Sequence, residues 1–313
     1  TETLYVFLVA AGLWLYLDYV VARPSGASSS WRAPAVAGIV LGVATLTRAV
    51  LLLFPVGLAL HLVLLRGWRS GLKQAILLLA AYSLLISTWT AYNWVRFHEI
   101  VIGAQGFSSF LYMGARGWQG PEATDAQLVE DVPDHAEQDP QLNDRGDAFI
   151  TGATQAITGD PLGYARRRIS ELANAYLQPH GTVLFSGESL KAMTRRWITE
   201  DRSPRGLFDL VAGDWFFAKL ILYIFHFTGL LAGLVGMWLL RRCWQVVLPL
   251  IGFILYTTLV HLILMVTPRY IFPLEMFWWI FASAALVAGW DAWKTRRQQG
   301  AGQSNGTTPE ASG

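Results

Sequence analysis

The stretch Ala33-Pro-Ala-Val-Ala-Gly-Ile-Val-Leu-Gly-Val-Ala-Thr-Leu-Thr-Arg48-Ala-Val-Leu-Leu-Leu-Phe-Pro-Val-Gly-Leu-Ala-Leu-His-Leu-Val-Leu-Leu65 decides how this chain folds. As one helix it would run about 50 Å, against a hydrocarbon core of about 30 Å. It would also hold Arg48 near its middle, where a guanidinium costs roughly 2.5–3.5 kcal/mol on insertion scales. Read as two helices that turn at Thr47-Arg48, the same residues bring the arginine to a membrane boundary. Each helix is then short, which is tolerated where neighbouring protein covers it.

Outward from this stretch the apolar runs are Leu4–Val21, Ala33–Leu46, Ala49–Leu65, Ala75–Tyr92, Phe216–Leu240, Val246–Val266 and Tyr270–Ala288. Blocks of about 20 apolar residues read as membrane spans. The chain is 53% hydrophobic and only 15% charged, whereas soluble domains carry about 25% charged residues. With seven spans, one side collects Arg23 and Arg32, Arg66, Arg69 and Lys73, Arg241 and Arg242, and Lys294, Arg296 and Arg297. Short basic loops face the cytoplasm. Six spans would split the first two of these groups between opposite sides, so the charge pattern favours the turn at Arg48. Trp89, Tyr92, Trp94, Trp215, Trp238, Trp244, Trp290 and Trp293 fall near the span boundaries as an aromatic belt.

The fold expected is therefore an all-α polytopic membrane protein with seven transmembrane helices and one large extracytoplasmic segment of mixed or mostly helical structure. Residues 1–92 hold four spans, 93–215 the outer segment, 216–293 three spans and 294–313 a disordered cytoplasmic tail. The outer segment carries 17 of the 22 acidic residues and 11 of the 24 basic ones. Within it Asp160-Pro161 starts a helix, with Asp as N-cap and Pro at the first helical position. Leu162, Ala165, Ile169, Leu172 and Tyr176 then recur at helical spacing, beside Arg166, Arg167 and Arg168. This reads as an interfacial helix near 161–178 on the outer leaflet; a core helix of a small outer domain is the alternative.

Arg48 and Arg269 are the leading site candidates. Both fall on the outer side, and the planar guanidinium fork suits a phosphate or carboxylate. Snorkelling to the headgroups is the alternative for Arg48. Pro268 and Pro273 flank Arg269-Tyr270 and break the helix on both sides. Glu2 starts the first helix, as a cavity carboxylate or a solvated helix start. Glu275 is one turn into the last helix, with Arg269 its nearest partner in sequence. His61, His226 and His261 lie on apolar helices without ligand spacing and read as packing residues, so no metal site is expected. The acidic stretch Glu122–Asp147 reads as a solvated loop, with a divalent cation as the alternative, and lacks the twelve-residue calcium pattern. No cofactor motif appears. Cys243 alone excludes an intrachain disulfide framework, and nothing points to nucleic acid. Asn305-Gly306-Thr307 matches a glycosylation acceptor but falls on the cytoplasmic side.

The order of four motifs carries a resemblance. These are Thr1-Glu2 before an apolar helix, Gly38-Ile-Val-Leu-Gly42-Val-Ala-Thr-Leu-Thr-Arg48, Trp89-Thr-Ala-Tyr-Asn93-Trp-Val-Arg96-Phe, and Pro268-Arg269-Tyr270-Ile-Phe-Pro273. Together they resemble the GT-C glycosyltransferases of family thirty-nine type, which include protein mannosyltransferases, aminoarabinose transferases of lipid A and galacturonosyltransferases of lipopolysaccharide cores. The resemblance implies that Glu2 matches the family's Ser/Thr-Glu position, Arg48 its Leu-Thr-Arg/Lys position and Arg269-Tyr270 its Arg-Tyr. Asn93 and Arg96 lie in its Pro-Trp-x-x-Arg-Asn region, where this chain has Thr88 for Pro and a different Arg-Asn order.

It further implies transfer of a sugar from a polyprenyl-phosphate donor to a lipid, glycan or protein acceptor, on the outer face of a bacterial inner or plasma membrane. The chain starts at Thr1 without Met, and the family's main catalytic carboxylate is expected upstream of residue 1. Two other classes stay open: a transporter or flippase of lipid-linked substrates, which predicts an internal repeat that is not seen, and a non-catalytic membrane scaffold.

Overall fold

The turn at Arg48 is present in the backbone of the computed structural model, which describes residues 2–21, 32–103, 107–116, 145–179, 185, 189–213 and 215–304. Its helices in chain order are α1 (Glu2–Leu15), α2 (Arg32–Thr47), α3 (Phe54–Phe97), α4 (Phe107–Arg116), α5 (Arg145–Gly159), α6 (Pro161–Leu177), α7 (Leu190–Glu200), α8 (Pro204–Val211), α9 (Phe216–Leu239), α10 (Trp244–Ile263), α11 (Pro268–Ile271) and α12 (Glu275–Ser304). No strand occurs among the described residues. Arg23, the acidic stretch from Glu122 to Asp144 and Asn305-Gly306-Thr307 lie outside them.

Among the described residues three helical stretches are long and apolar enough to cross a membrane: Ala49–Phe97, Phe216–Ile263 and Pro268–Gln298. That is fewer than the seven spans read from the sequence. The first is not one straight rod. Its 49 residues would extend about 73 Å as a continuous helix. At Gly67 the backbone leaves helical space for φ 76°, ψ 170°, a region open to glycine and costly to other residues. A Cβ on Gly71 would lie 2.3 Å from the carbonyl oxygen of Leu62. The residues after the break therefore lie against those before it, so α3 is a hairpin of two arms with Arg66 and Arg69 at its tip. The second stretch contains the 3-10 turn Leu240–Cys243, which carries Arg241 and Arg242.

Packing divides the chain into two compact units, Thr1–His180 with Gln245–Pro273, and Gly181–Trp244 with Leu274–Gly313. In the first, α2 packs closely on the second arm of α3. A Cβ on Gly38 would lie 2.3 Å from the carbonyl oxygen of Leu78, so only glycine allows this approach. The hydroxyl of Tyr16, in the π-helical turn that continues α1, reaches the first arm of α3: it donates to the Leu58 carbonyl at 3.0 Å and sits 2.6 Å from His61 Nδ1. Tyr112, Met113 and Ala115 of α4, Ala153 of α5 and Met265 form a second buried cluster.

α6 starts as the sequence indicates, with Asp160 Oδ1 accepting from Gly163 N at 2.8 Å and Pro161 opening the helix. Its buried face, however, is not the apolar one. Arg168, Glu171 and Ala175 are buried, while Leu162 is 83% and Ile169 61% exposed.

In the second unit Ser189 and Ser203 cap α7 and α8, each side chain accepting from a backbone N–H. α9 and α12 meet along Gly229, Gly233 and Gly236. A Cβ on Gly236 would fall 1.9 Å from the Phe281 carbonyl oxygen, the close backbone approach that small residues permit between apolar helices. Phe225 stacks on Trp279 with ring centroids 4.3 Å apart. α12 continues to Ser304, past Lys294, where the sequence reading begins a disordered tail.

Gly67→Ala is expected to destabilise the first unit by about 1–3 kcal/mol, the cost of holding a residue with a Cβ in a backbone region that is essentially glycine's own. Thermal unfolding in detergent measures this, and an unchanged transition would mean that the hairpin does not depend on the turn.

Candidate functional site

α2 ends at Thr47, whose hydroxyl donates to the Ala44 carbonyl at 2.6 Å, and Arg48 is extended with φ −150° and ψ 114°. A 3-10 turn, Ala49–Leu51, then leads towards α3. Two tyrosines hold this turn. Tyr82 of α3 donates its hydroxyl to the Leu52 carbonyl at 2.9 Å, and the Tyr256 hydroxyl of α10 accepts from Leu53 N at 3.1 Å. The backbone that presents Arg48 is thus fixed from two helices at once.

Thr47 and Arg48 open onto a cavity of about 490 Å³ in the first unit. Its wall also includes Glu2, Phe107, Phe110, Tyr256, His261, Met265, Arg269 and Tyr270. The Arg48 guanidinium lies 5.7 Å from the Tyr5 ring centroid and 5.3 Å from that of Tyr270. Both aromatic faces attract a cation. No carboxylate pairs with Arg48 among the described residues. Tyr270 stacks in turn on His261 at 5.0 Å and an interplanar angle of 4°, and meets Phe110 edge-on at 5.9 Å. These contacts fix the ring that Arg48 rests on.

Arg269 reaches the same cavity from α11. Pro268 starts this one-turn helix after an extended Thr267, and a 3-10 turn, Phe272–Leu274, follows. The two prolines therefore isolate Arg269-Tyr270 between breaks, as their positions in the sequence suggest. Arg269 Nε and Nη2 both donate to Glu2 Oε1, at 2.7 and 2.5 Å. The Arg269 side chain is 59% exposed and that of Glu2 25%.

Four of the seven residues singled out in the sequence therefore share one cavity: Glu2, Arg48, Arg269 and Tyr270. The other three do not join it. Asn93 lines a separate cavity of about 510 Å³ with Leu46, Trp89, Phe97, Glu99, Val101 and Gly103. Its Nδ2 donates to the Trp89 carbonyl at 2.8 Å, one turn back along α3. Arg96 is exposed in the last turn of α3 and lines neither cavity. Glu275 belongs to the second unit and pairs with His226, Nδ1 to Oε1 at 2.7 Å. This corrects the expected Glu275–Arg269 pairing: the partner of Arg269 is Glu2, at the far end of the sequence. Among the described residues no group of three His, Cys, Asp or Glu side chains could hold a metal ion.

Periodicity alone misses the part of α6 that supports this site. Arg168 is fully buried and donates through Nε to the Leu262 carbonyl and through Nη2 to the His261 carbonyl, both at 3.0 Å. Its Nη1 pairs with Glu171. The Tyr164 hydroxyl donates to the Ile263 carbonyl at 2.7 Å, and Tyr176 bonds Thr258 at 2.6 Å. The last carbonyls of a helix have no intrahelical donor and carry the negative end of its dipole. Arg168 and Tyr164 supply the donors, and so set the end of α10 just before Met265, Arg269 and Tyr270. Burial lowers the Arg168 pKa from its ordinary value and the Glu171 carboxylate opposes that shift, leaving a guanidinium that keeps its proton. Burial likewise raises the Tyr164 hydroxyl above the usual phenol range, favouring the protonated donor.

No protein-family model matches the chain, and no curated protein or solved structure matches it.

Arg168→Met is expected to destabilise the protein by about 3–5 kcal/mol, because it leaves Glu171 buried without its cation and strips the end of α10 of two donors. Adding Glu171→Leu should recover part of the loss. Thermal melts of the single and double variants decide this; a double variant no more stable than the single one would show that the uncompensated carboxylate is not the main cost.

Proposed function

We propose that this protein transfers a sugar from a polyprenyl-phosphate donor to an acceptor on the extracytoplasmic face of the membrane, and that Arg48 and Arg269 hold the donor phosphate. The observation that carries the reading is Arg48: a half-buried guanidinium, set between the rings of Tyr5 and Tyr270, with no carboxylate partner among the described residues, on the wall of a cavity that Arg269 shares. A cation left uncompensated in an apolar setting favours an anionic ligand.

The surroundings favour a lipid-linked anion over a soluble one. An apolar groove of about 280 Å³ runs along the first arm of α3 and α10, past Gly57, Leu60, Leu64, Leu248 and Gly252. Leu53 and Tyr256 line both the groove and the arginine cavity, so the two adjoin. Nothing lies within 4 Å of a Cβ built on Gly57 or Gly252. From Leu53 to Leu64 the groove follows about 16 Å of helix, enough to seat part of a hydrocarbon chain.

In the reading proposed, the chain crosses a bacterial inner or plasma membrane seven times. The basic tips at Arg66–Arg69 and Arg241–Arg242 face the cytoplasm, and Arg48 and Arg269 face out. The exposed apolar face of α6 lies on the outer leaflet.

In the transfer step the bond between the anomeric carbon and the bridging phosphate oxygen breaks, and its electron pair stays on the phosphate. The acceptor hydroxyl oxygen bonds the anomeric carbon, and its proton passes to a carboxylate base. Charge grows on the phosphate as this happens. Preorganised guanidinium groups stabilise that charge without the reorganisation that bulk water must undergo.

Arg269→Ala is expected to abolish sugar transfer from a polyprenyl-phosphate pool in membrane vesicles and to leave membrane insertion intact, and Arg48→Ala to do the same. Full transfer by either variant would remove that residue from the clamp. Inorganic phosphate should compete poorly with a polyprenyl phosphate; equal competition would point to a soluble anion instead.

Gly57→Phe fills open space, so the fold should hold. If it excludes even two methylene groups, at about 0.8 kcal/mol each, binding of a long-chain polyprenyl phosphate weakens about tenfold while a short-chain analogue is unaffected. Equal effects on both would place the chain elsewhere.

A further inference from the structure

The charges that line the arginine cavity do not cancel. Arg48 and Arg269 each bring one positive charge and Glu2 one negative charge. His261 faces the Met265 carbonyl with Nδ1 at 3.2 Å, an arrangement satisfied by a neutral ring carrying its proton there. The hydroxyls of Tyr256 and Tyr270 add no charge. Among the described residues the lining therefore holds one net positive charge, and its single carboxylate already has one oxygen bonded to Arg269 by two donors.

That balance distinguishes two kinds of phosphate. A phosphodiester carries one negative charge, whereas a phosphate monoester carries about 1.5–2 near neutral pH. We propose that Glu2 is the specificity residue of this cavity, weakening the hold on a lipid phosphate monoester more than the hold on a lipid phosphodiester. The inference rests on the reading of the cavity as a lipid-phosphate site, and adds what that reading leaves open: how the site lets go. The donor is a diester; the carrier left after transfer is a monoester. As the bridging bond breaks, the phosphate gains charge beside a carboxylate that repels it and competes with it for Arg269. The doubly charged product meets about twice the repulsion that the donor meets, at the same distance. Glu2 thus offsets part of the extra pull that the two arginines exert on the doubly charged product, and eases its release.

Glu2 suits this role in position as well as charge. It starts α1 and lies across from α11, so its carboxylate meets Arg269 through tertiary packing rather than through local sequence. It stands on the cavity wall and is only partly exposed, which keeps its field on the ligand from being fully screened.

The test uses the protein in nanodiscs with two probes that differ in one group, dodecyl phosphate and dodecyl methyl phosphate. Affinities are measured by calorimetry at pH 8, where the monoester is doubly charged. The wild type sets the reference preference between the two. Glu2→Gln, of nearly the same shape, should strengthen monoester binding more than diester binding and shift the preference towards the monoester by about tenfold. Glu2→Asp should keep the wild-type preference. Equal strengthening of both probes by Glu2→Gln, or no shift, would overturn the specificity role while leaving a phosphate site in place. Failure of the wild type to bind either probe would overturn the lipid-phosphate reading and this inference with it.

Discussion

An arginine cannot remain in hydrocarbon without compensation, and this constraint organises the first unit. The apolar run from Ala33 to Leu65 is too long for one crossing and carries Arg48 near its centre. The chain meets both conditions by ending α2 at Thr47 and turning. The turn must then be held, because it lies between two apolar helices with backbone groups that need partners. Tyr82 and Tyr256 supply them at Leu52 and Leu53. The guanidinium needs stabilisation as well, and among the described residues it comes from the faces of Tyr5 and Tyr270. Tyr270 in turn is fixed by His261, whose carbonyl is fixed by Arg168. A line of contacts thus runs from the buried face of α6 to the charge in the cavity.

Much of this was legible in the sequence because it depends on local rules. A run too long for the bilayer, a charge at its centre and basic residues on one side locate the turn at Arg48. Two prolines locate Arg269-Tyr270 between helix breaks. Asp160-Pro161 locates the start of α6. What could not be read depends on pairing across the fold. Glu2 and Arg269 are almost a chain length apart, and no spacing rule joins them. His226 took Glu275 for the same reason. In α6 the apolar period was correct, but a period does not say which face is buried. The packing buries Arg168 and Glu171 because the open carbonyls at the end of α10 need donors. Three arginines in a row look like a solvated stripe until those carbonyls are placed beside one of them. Asn93 and Arg96 were singled out by likeness to a motif they only partly match, and neither reaches the cavity.

The cavity and the groove make a consistent pair in the function proposed. The cavity offers two guanidiniums, an aromatic wall and one carboxylate; the groove offers an apolar path left open by Gly57 and Gly252. A ligand that fits both has an anionic head and a long hydrocarbon chain. Opposing requirements meet at Glu2. Its charge satisfies Arg269 when no ligand is bound, and the same charge limits how much negative charge the site will accept. Arg48 has no such counterweight among the described residues, so the two arginines are not equivalent: one is balanced within the protein and, in the function proposed, the other draws its balance from the ligand.

The function proposed depends most directly on one phosphate meeting both arginines. A cryo-electron microscopy map of the protein in nanodiscs containing a polyprenyl methyl phosphate, a diester with the donor's single charge, tests this. The phosphate density expected lies within hydrogen-bonding reach of Arg48 and Arg269, beside Tyr270, with chain density continuing past Leu53 towards Gly57. Phosphate density at any other place on the protein, with the arginine cavity empty, would contradict it.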